Sequence, residues 1–193
     1  MTDLGWLDEG AAVLWVLLTP YVASAAATFP RGRGPPMDLG RRWPGDGRRI
    51  LGPSKTWSGF LCGSLFPVWV GLLQAWLILL APPNLAIVPR FGDTVVGALP
   101  VVFWLPTSAM AGDALGSFVK RRLGTPSGGR APLLDQLPFV AVPVLGGLVL
   151  FPSVFVGTFV SVAGLAWLLV YTLGLHTFFN WVGFKAGLKK VPW

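Results

Sequence analysis

The chain has 193 residues, of which 53% are hydrophobic and only 12% are charged. A soluble domain usually carries about 25% charged residues with which to cover its surface. The composition therefore excludes an ordinary soluble protein and predicts an integral membrane protein, and ten tryptophans support this because indole rings favour the membrane–water interface.

The first apolar run extends from Gly10 to Pro30 and follows the acidic residues Asp8 and Glu9. A cleavable signal peptide would begin with positive charge and have a shorter apolar stretch, so we interpret this run as a permanent membrane helix. The single cysteine, Cys62, excludes an intramolecular disulfide and is interpreted as a small apolar residue within a helix.

Charged residues separate the apolar runs that follow. Between Lys55 and Arg90 the chain is uncharged, and the prolines of the stretch 81–84 are expected to end the second helix near Leu80. The uncharged stretch between Asp135 and Lys185 is too long for one crossing and predicts two helices. The predicted fold is an all-α integral membrane protein that forms a single domain over residues 1–193. Its five transmembrane helices are predicted at about residues 8–29, 56–80, 95–119, 136–152 and 156–181.

The basic residues predict how these five helices are oriented. All but one of them fall in the loop between helices 1 and 2, in the loop after helix 3 or in the C-terminal tail. These are Arg31, Arg33, Arg41, Arg42, Arg48, Arg49 and Lys55; Lys120, Arg121, Arg122 and Arg130; and Lys185, Lys189 and Lys190. The exception, Arg90, shares the other side with Asp3, Asp8, Glu9 and Asp93. The positive-inside rule therefore predicts an outside N-terminus, a cytoplasmic C-terminus and two long cytoplasmic loops in the cell membrane.

The first loop combines its arginines with glycines at the start of helix 2. Glycine lets a backbone approach a ligand closely, and free N–H groups at a helix start attract phosphate. The segment Gly52-Pro53-Ser54-Lys55-Thr56 fits this description, although it is not a P-loop because Pro53-Ser54 stands where that motif has Lys-Ser/Thr. We expect a phosphate site there, while the basic residues alone are also consistent with attraction to anionic lipid head groups.

Asp113 lies within the third apolar run, about two helical turns before Lys120. Burying a carboxylate there costs several kcal/mol unless it meets a cation or a water-filled cavity. Two interpretations are open: an internal ion pair with a basic residue or, preferably, a ligand of a divalent metal. Asp113, Gly116, Ser117 and Lys120 share one helix face because they recur at three- and four-residue spacing. Their carboxylate, hydroxyl and ammonium groups suit a magnesium-bound phosphate.

Several other polar residues have more than one interpretation. Asp135 is expected to open helix 4, either as an N-cap or as a second metal ligand opposite Asp113. Asp38 and Asp46 are weaker candidates because loop aspartates often form turns. His176 and Asn180 are interpreted as an interhelical polar pair, and a single histidine disfavours a histidine metal cluster or a serine triad. The pairs Gly59/Gly63, Gly112/Gly116 and Gly183/Gly187 have the spacing of close helix contacts.

Four segments together resemble the CDP-archaeol synthases, membrane cytidylyltransferases of archaeal lipid synthesis. They are 47–52 with Lys55-Thr56-Trp57, then 112–124, 132–137 and 187–193, and the likeness covers most of the chain. The second segment is also similar to the signature of bacterial CDP-diacylglycerol synthases, in which Ser-x-x-Lys-Arg, matched by Ser117 to Arg121, precedes two aspartates. Asp135 matches the first aspartate, whereas Pro138 stands in place of the second.

The resemblance implies a Mg²⁺-dependent nucleotidyltransferase that faces the cytoplasm. CTP would react with 2,3-bis-O-geranylgeranylglycerol 1-phosphate to give the CDP-lipid and pyrophosphate. Because a lipid phosphate is largely dianionic near neutral pH, it needs no general base. The protein must instead position two anions and neutralise the leaving group.

We assign the site residues as follows. Asp113 and Asp135 would bind Mg²⁺, and catalysis would use these two together with Lys55, Lys120 and Arg121. Nucleotide and phosphate binding is assigned to Gly52, Ser54, Lys55, Thr56, Ser117, Lys120, Arg121 and Arg122. Arg48 and Arg49 are assigned to the lipid phosphate.

The expected partners are CTP, a polyprenylated glycerol phosphate lipid and the membrane. Nucleic acid is not expected, and a homodimer is left open. One alternative is another lipid kinase or phosphotransferase. A second alternative is a small anion or phosphate transporter, which the apolar outer halves of helices 1, 2, 4 and 5 disfavour because transport needs a polar route across the membrane.

Overall fold

The computed structural model describes residues 5–82, 87–127, 129 and 131–187. Within these residues the regular secondary structure is helical, apart from two isolated antiparallel bridges that join Pro36 to Thr56 and Arg42 to Arg49. Some of the sequence predictions fall outside the described residues or concern side chains that are not described. They involve Asp3, Arg130, Lys189, Lys190, the closing segment 188–193, and the side chains of His176 and Asn180.

The helices of the described residues follow one another with short breaks. They are α1 (Trp6–Ala26), α2 (Trp57–Leu65), α3 (Val68–Leu80), α4 (Val95–Arg122), α5 (Pro132–Leu150), α6 (Pro152–Phe159) and α7 (Val162–Lys185). Helices α2 and α3 together form one 24-residue apolar segment, Trp57–Leu80. Its interruption falls at Pro67, which has no N–H with which to continue the helical ladder.

Four of these segments are long and apolar enough to cross a membrane, or five if the bent pair of α6 and α7 counts as one span. The prediction of an all-helical membrane protein is therefore confirmed, whereas its orientation stays a prediction. Helix α4 extends to Arg122 rather than to residue 119, and α5 begins at Pro132 rather than at residue 136.

The last predicted span, residues 156–181, differs from the structure because it is not one continuous helix. Helix α6 ends at Phe159, α7 begins at Val162, and the two axes are bent by 89°. The hydroxyl of Ser161 accepts a 2.8 Å hydrogen bond from the N–H of Gly164 and so caps a new helix. A side chain at Gly164 would lie 2.3 Å from the carbonyl oxygen of Thr158, so this tight corner requires glycine.

Helix α4 occupies the centre of the bundle and packs most extensively against α5, as well as against α1, α2 and α3. A Cβ atom at Gly112 would lie 2.1 Å from the carbonyl oxygen of Pro138, and one at Gly116 would lie 2.5 Å from that of Leu134. The backbones of α4 and α5 therefore touch, as the glycine spacing predicted. Gly63 makes a similar approach to the carbonyl oxygen of Ala23 in α1, whereas a Cβ at Gly187 would have no atom within 4 Å.

One polar contact joins α1 and α3 within the apolar region. Thr19 donates a 2.8 Å hydrogen bond to Oε1 of Gln74, and Nε2 of Gln74 donates a 2.7 Å bond to the carbonyl oxygen of Trp15. Because lipid offers no hydrogen-bonding partners, these buried groups must satisfy one another. Their pairing fixes the rotation of α3 relative to α1.

Candidate active site

Lys55 and Asp113 form an ion pair between the start of α2 and the second half of α4. Their side chains are 24% and 34% exposed, so the pair is within reach of a ligand. Local backbone contacts hold Lys55 in place, because its carbonyl oxygen accepts a 2.8 Å hydrogen bond from the N–H of Met37. Thr56 then caps α2 by accepting a 3.2 Å bond from the N–H of Gly59. The internal ion pair anticipated for Asp113 is thus present, with Lys55 as its partner.

A second ion pair joins Lys120, near the end of α4, to Asp135 in the first turn of α5. These side chains are 13% and 16% exposed. The N-cap interpretation of Asp135 is wrong, because α5 begins at Pro132 and its N-cap position is occupied by Ala131. The Asp135 carboxylate instead accepts a 3.0 Å hydrogen bond from the N–H of Ala131. A negative charge at this helix start is also favourable to the helix dipole.

The central helix supplies one member to each of these lysine–aspartate pairs. Asp113 and Lys120 are seven residues apart, which places them on the same face of α4 about 10 Å apart along the axis. The glycine contacts at Gly112 and Gly116 hold α5 directly against this part of α4. Both pairs therefore lie towards the C-terminal end of α4, whose last turn carries Lys120, Arg121 and Arg122.

Arg121 adds a buried positive charge beside the first long loop. The residue is only 7% exposed, and its Nε has no hydrogen-bond partner among the described residues. A Cβ atom at Gly52 would lie 3.5 Å from Nη1 of Arg121 and 3.5 Å from the hydroxyl of Ser127. Gly52, with φ of 104°, thus lies against both a guanidinium and a hydroxyl group. Ser127 was not predicted, since a serine in a glycine-rich loop carries no distinctive sequence signal.

Asp38 organises the first loop. Its side chain is fully buried and lies 2.5 Å from Nη2 of Arg49, and it also accepts hydrogen bonds from the N–H groups of Gly40, Leu51 and Gly52. Burial raises the pKa of Asp38, but the Arg49 and backbone hydrogen bonds together outweigh burial and hold the pKa well below its usual range. The turn interpretation of Asp38 is confirmed by its hydrogen bond from Gly40, and the Asp-x-Gly spacing is the signal for it.

Arg48 fastens the first loop to the C-terminus of α4. Its Nη1 donates to the carbonyl oxygens of Arg121 at 3.3 Å and of Arg122 at 3.0 Å. The guanidinium packs so closely on Gly124 that a Cβ there would lie 3.1 Å from Nη1. The Arg121 carbonyl oxygen also accepts a 3.2 Å hydrogen bond from the N–H of Gly124, and a cation favours the negative end of the helix dipole.

Arg122 makes the reciprocal contact from α4 to the loop. Its Nη2 donates a 2.7 Å hydrogen bond to the carbonyl oxygen of Arg49, and its Nε lies 3.0 Å from Oδ2 of Asp46. The guanidinium carbon also lies 5.0 Å from the centre of the Phe118 ring and 5.7 Å from that of Trp43. We call Arg48 and Arg122 together the arginine clasp.

The structure separates the predicted site residues into three groups. It brings Lys55 to Asp113, Lys120 to Asp135, and Gly52 to Arg121. The guanidinium groups of the other predicted arginines, Arg48, Arg49 and Arg122, contact the protein itself. Of the remaining residues, Thr56 acts as a helix cap, Ser54 is exposed and Ser117 is buried.

The fold and the site define an intramembrane protein whose charged groups are concentrated at one end of its central helix. A family model described as "CarS-like: CDP-archaeol synthase" matches residues 8–193. The chain therefore belongs to the CDP-archaeol synthase family, and the resemblance identified from its motifs is confirmed.

Individual relatives agree with this assignment. A CDP-archaeol synthase from Thermococcus gammatolerans is 36% identical over 98% of this chain and 100% of its own length. One from Methanosphaerula palustris is 40% identical over 92% of this chain and 100% of its own. A solved structure described as "Structural insight into an intramembrane enzyme for archaeal membrane lipids biosynthesis" is 32% identical, with a TM-score of 0.59, and the match covers 82% of this chain and 89% of that one.

Proposed function

We propose that this chain transfers CMP from CTP to 2,3-bis-O-geranylgeranylglycerol 1-phosphate, giving a CDP-lipid and pyrophosphate. The observation that carries the proposal is the arrangement of Lys55–Asp113, Lys120–Asp135 and Arg121 around one end of α4, in a chain that belongs to the CDP-archaeol synthase family. Such an array provides both the carboxylates and the cations that nucleotidyl transfer requires.

The reaction joins two anions, and this determines what the protein must supply. An oxygen of the lipid phosphate attacks the α-phosphorus of CTP, and the bond from that phosphorus to the bridging oxygen breaks. Pyrophosphate leaves with the bonding electrons. The attacking phosphate is already largely dianionic, so no residue has to remove a proton from it. We assign Lys55, Lys120 and Arg121 to neutralising the triphosphate and the departing pyrophosphate.

The carboxylates suit Mg²⁺ only in combination with substrate oxygens. Mg²⁺ usually binds one or two protein carboxylates together with substrate phosphates and water. Asp113 and Asp135 provide such a pair, and among the described residues no cluster of three or more His, Cys, Asp or Glu side chains is formed. We propose that these two aspartates hold the ion beside the bound triphosphate. The ion would supply additional positive charge to the phosphates.

Binding of substrate would then change the partners of the two lysines. In the structure the ammonium group of Lys55 pairs with Asp113, and that of Lys120 pairs with Asp135. Asp113 and Asp135 would hold Mg²⁺, and Lys55 and Lys120 would contact phosphate oxygens. Arg121, with Gly52 and Ser127 beside it, is suited to the β- and γ-phosphates because it is buried and its Nε has no hydrogen-bond partner in the part of the chain that the structure describes.

The proposal revises the roles of three arginines. Arg48 and Arg122 form the clasp and Arg49 binds Asp38, so we propose that they position the first loop instead of binding substrate. Opening to the cytoplasm remains part of the proposal and rests on the distribution of basic residues.

The test is an assay of the purified protein in detergent with Mg²⁺, the geranylgeranylated glycerol phosphate and each nucleoside triphosphate in turn. Release of pyrophosphate with CTP only, dependent on lipid and on metal, is expected. A lipid kinase would release a nucleoside diphosphate instead. Absence of pyrophosphate with every nucleotide, from protein shown to be folded, would contradict the proposed function.

A further inference from the structure

A tight turn follows α1 and presents two arginines on one side. The N–H of Arg31 donates a 2.9 Å hydrogen bond to the carbonyl oxygen of Thr28. The N–H of Arg33 donates a 3.0 Å bond to the carbonyl oxygen of Pro30. Arg31 has a φ of 53°, in the left-handed region. As a result, Phe29, Pro30, Arg31 and Arg33 line a single open depression of about 430 Å³. We call this the post-α1 depression.

The guanidinium groups in this depression are free, in contrast to those of the arginine clasp. Neither Arg31 nor Arg33 makes a side-chain hydrogen bond or an ion pair with any residue in the described part of the chain. Both residues are exposed. Two unpaired guanidinium groups beside the same depression are suited to a dianion, because each can donate two hydrogen bonds to phosphate oxygens.

An apolar strip continues from these arginines along the membrane-spanning surface. Phe29 is 51% exposed, and its ring packs edge-on against the ring of Phe66 with 5.6 Å between the ring centroids. Phe66 is 50% exposed and directly follows the nine residues of α2. Nine helical residues measure about 13 Å, so this aromatic pair extends well into the Trp57–Leu80 span.

The depression is connected to the candidate active site by backbone pairing. The hydroxyl of Ser58 donates to the carbonyl oxygen of Arg33, and the N–H of Trp57 donates to that of Pro35 at 3.1 Å. The pairing ends at Lys55, whose carbonyl oxygen bonds to the N–H of Met37. Arg33 therefore lies opposite Ser58 in the first turn of α2, three residues after Lys55.

We propose that the post-α1 depression is a capture site for the phosphate of the lipid substrate. Arg31 and Arg33 bind the phosphate monoester, and Phe29 and Phe66 contact its hydrocarbon chain. From there the head group moves along residues 33–37, which pair with residues 55–58, to reach Lys55 and Asp113. The inference rests on the proposed function and replaces Arg48 and Arg49 as the residues that first bind the lipid phosphate.

The test uses the double variant Arg31→Gln/Arg33→Gln in mixed micelles. Pyrophosphate release is measured against the mole fraction of lipid at saturating CTP, and against CTP at saturating lipid. Loss of two charged hydrogen-bonding groups should raise the KM for lipid about tenfold or more. The kcat and the KM for CTP should stay within about twofold, because the catalytic lysines are unchanged.

The matched control is Arg41→Gln, which removes another exposed arginine of the same loop, one that does not line the depression. This control should leave the KM for lipid unchanged, and Arg31→Lys/Arg33→Lys should restore most of the lost affinity. Glycerol 1-phosphate, which has the phosphate without the chains, should compete poorly with the lipid. Equal competition by glycerol 1-phosphate would indicate a site for free phosphate esters and overturn the lipid assignment.

An unchanged KM for lipid in the active double variant would overturn the capture site, as would an equal rise in the KM for CTP. Inactive wild-type protein would instead contradict the proposed function, so the two failures are distinguishable. If the double variant does not fold, the single variants Arg31→Gln and Arg33→Gln provide the same comparison under the same criteria.

Discussion

The arginine clasp and the lysine–aspartate pairs lie at the same end of α4, but their cations have different partners. In the clasp, Arg48 and Arg122 donate to main-chain carbonyl oxygens, which are neutral and fixed in position, and Arg122 also contacts the Asp46 carboxylate. In the pairs, Lys55 and Lys120 contact carboxylates that are partly exposed. A partly exposed ion pair is worth little in stability and can exchange partners, whereas a planar guanidinium that satisfies helix-terminal carbonyls is a lasting support. The comparison teaches that positive charge here is divided between holding the loop and pairing with partly exposed carboxylates, the groups that we propose to meet substrate.

The largest effect is expected at Asp113. Asp113→Ala should lower turnover about 1000-fold, because it removes a group at which charge is stabilised in the transition state. The protein should remain folded in detergent, since Lys55 is partly exposed and can be solvated. Pyrophosphate release and thermal unfolding provide the measurements, and Asp93→Ala, at an exposed aspartate before α4, is the control. Near-normal activity of Asp113→Ala with Mg²⁺ would remove Asp113 from the site.

The second pair should show a smaller effect and strong coupling. Lys120→Met and Asp135→Asn should each lower kcat about 100-fold, because each removes one charge from the proposed site. Since the two side chains contact each other, the double variant should lose less than the two single losses combined. The double-mutant cycle is measured by pyrophosphate release. Simple additivity would indicate that the two residues act independently.

A substitution in the arginine clasp should lower the stability of the protein more than its affinity for CTP. Arg122→Gln removes the contact to Asp46 and the charged hydrogen bond to the carbonyl oxygen of Arg49, at a cost of about 1–3 kcal/mol in unfolding free energy. We expect a lower unfolding midpoint, a kcat reduced about tenfold and little change in the KM for CTP. Arg42→Gln is the matched control, because the Arg42 side chain donates to the carbonyl oxygen of Gly47 in the same loop and, among the described residues, to no group of α4. A large rise in the KM for CTP without loss of stability would instead show that Arg122 binds nucleotide.

The smallest effect on turnover is expected at Asp38, where pH provides the sensitive readout. The pKa of Asp38 is lower in the folded protein than its ordinary value of 3.8, so its contribution to stability is complete above that pH. The contribution is lost as pH falls below 3.8 through the depressed folded value. Asp38→Asn should therefore be less stable than the wild type near neutral pH, and the difference should shrink in strong acid. Unfolding midpoints measured between pH 3 and pH 7 would reveal a constant difference if Asp38 did not titrate in this way.

Much of the fold could be predicted because charge and apolar length directly report membrane spans. The close contact of α4 with α5 was also predictable, since Gly112 and Gly116 have the spacing of touching helices. The bend between α6 and α7 was not, because Ser161 and Gly164 interrupt the helix without lowering the apolar character of the stretch. Hydrophobic length cannot distinguish a straight helix from a capped corner.

The site was predictable to a different extent. Asp113 stood out because a carboxylate in an apolar run requires a partner, but nothing local identified Lys55 as that partner. Arg48 and Arg122 are 74 residues apart, and only the folded chain shows that each binds the other's backbone. The type and position of an arginine do not reveal whether its guanidinium contacts a ligand or a carbonyl oxygen.

The glycine contacts between α4 and α5 also determine which parts of the molecule can move. The backbones meet at Gly112 and Gly116 with no side chain between them, so neither helix can slide or rotate without a steric clash. The α4–α5 hairpin that carries Asp113, Lys120 and Asp135 is consequently a rigid unit. The relative positions of these three charged side chains are therefore set by contacts between two backbones.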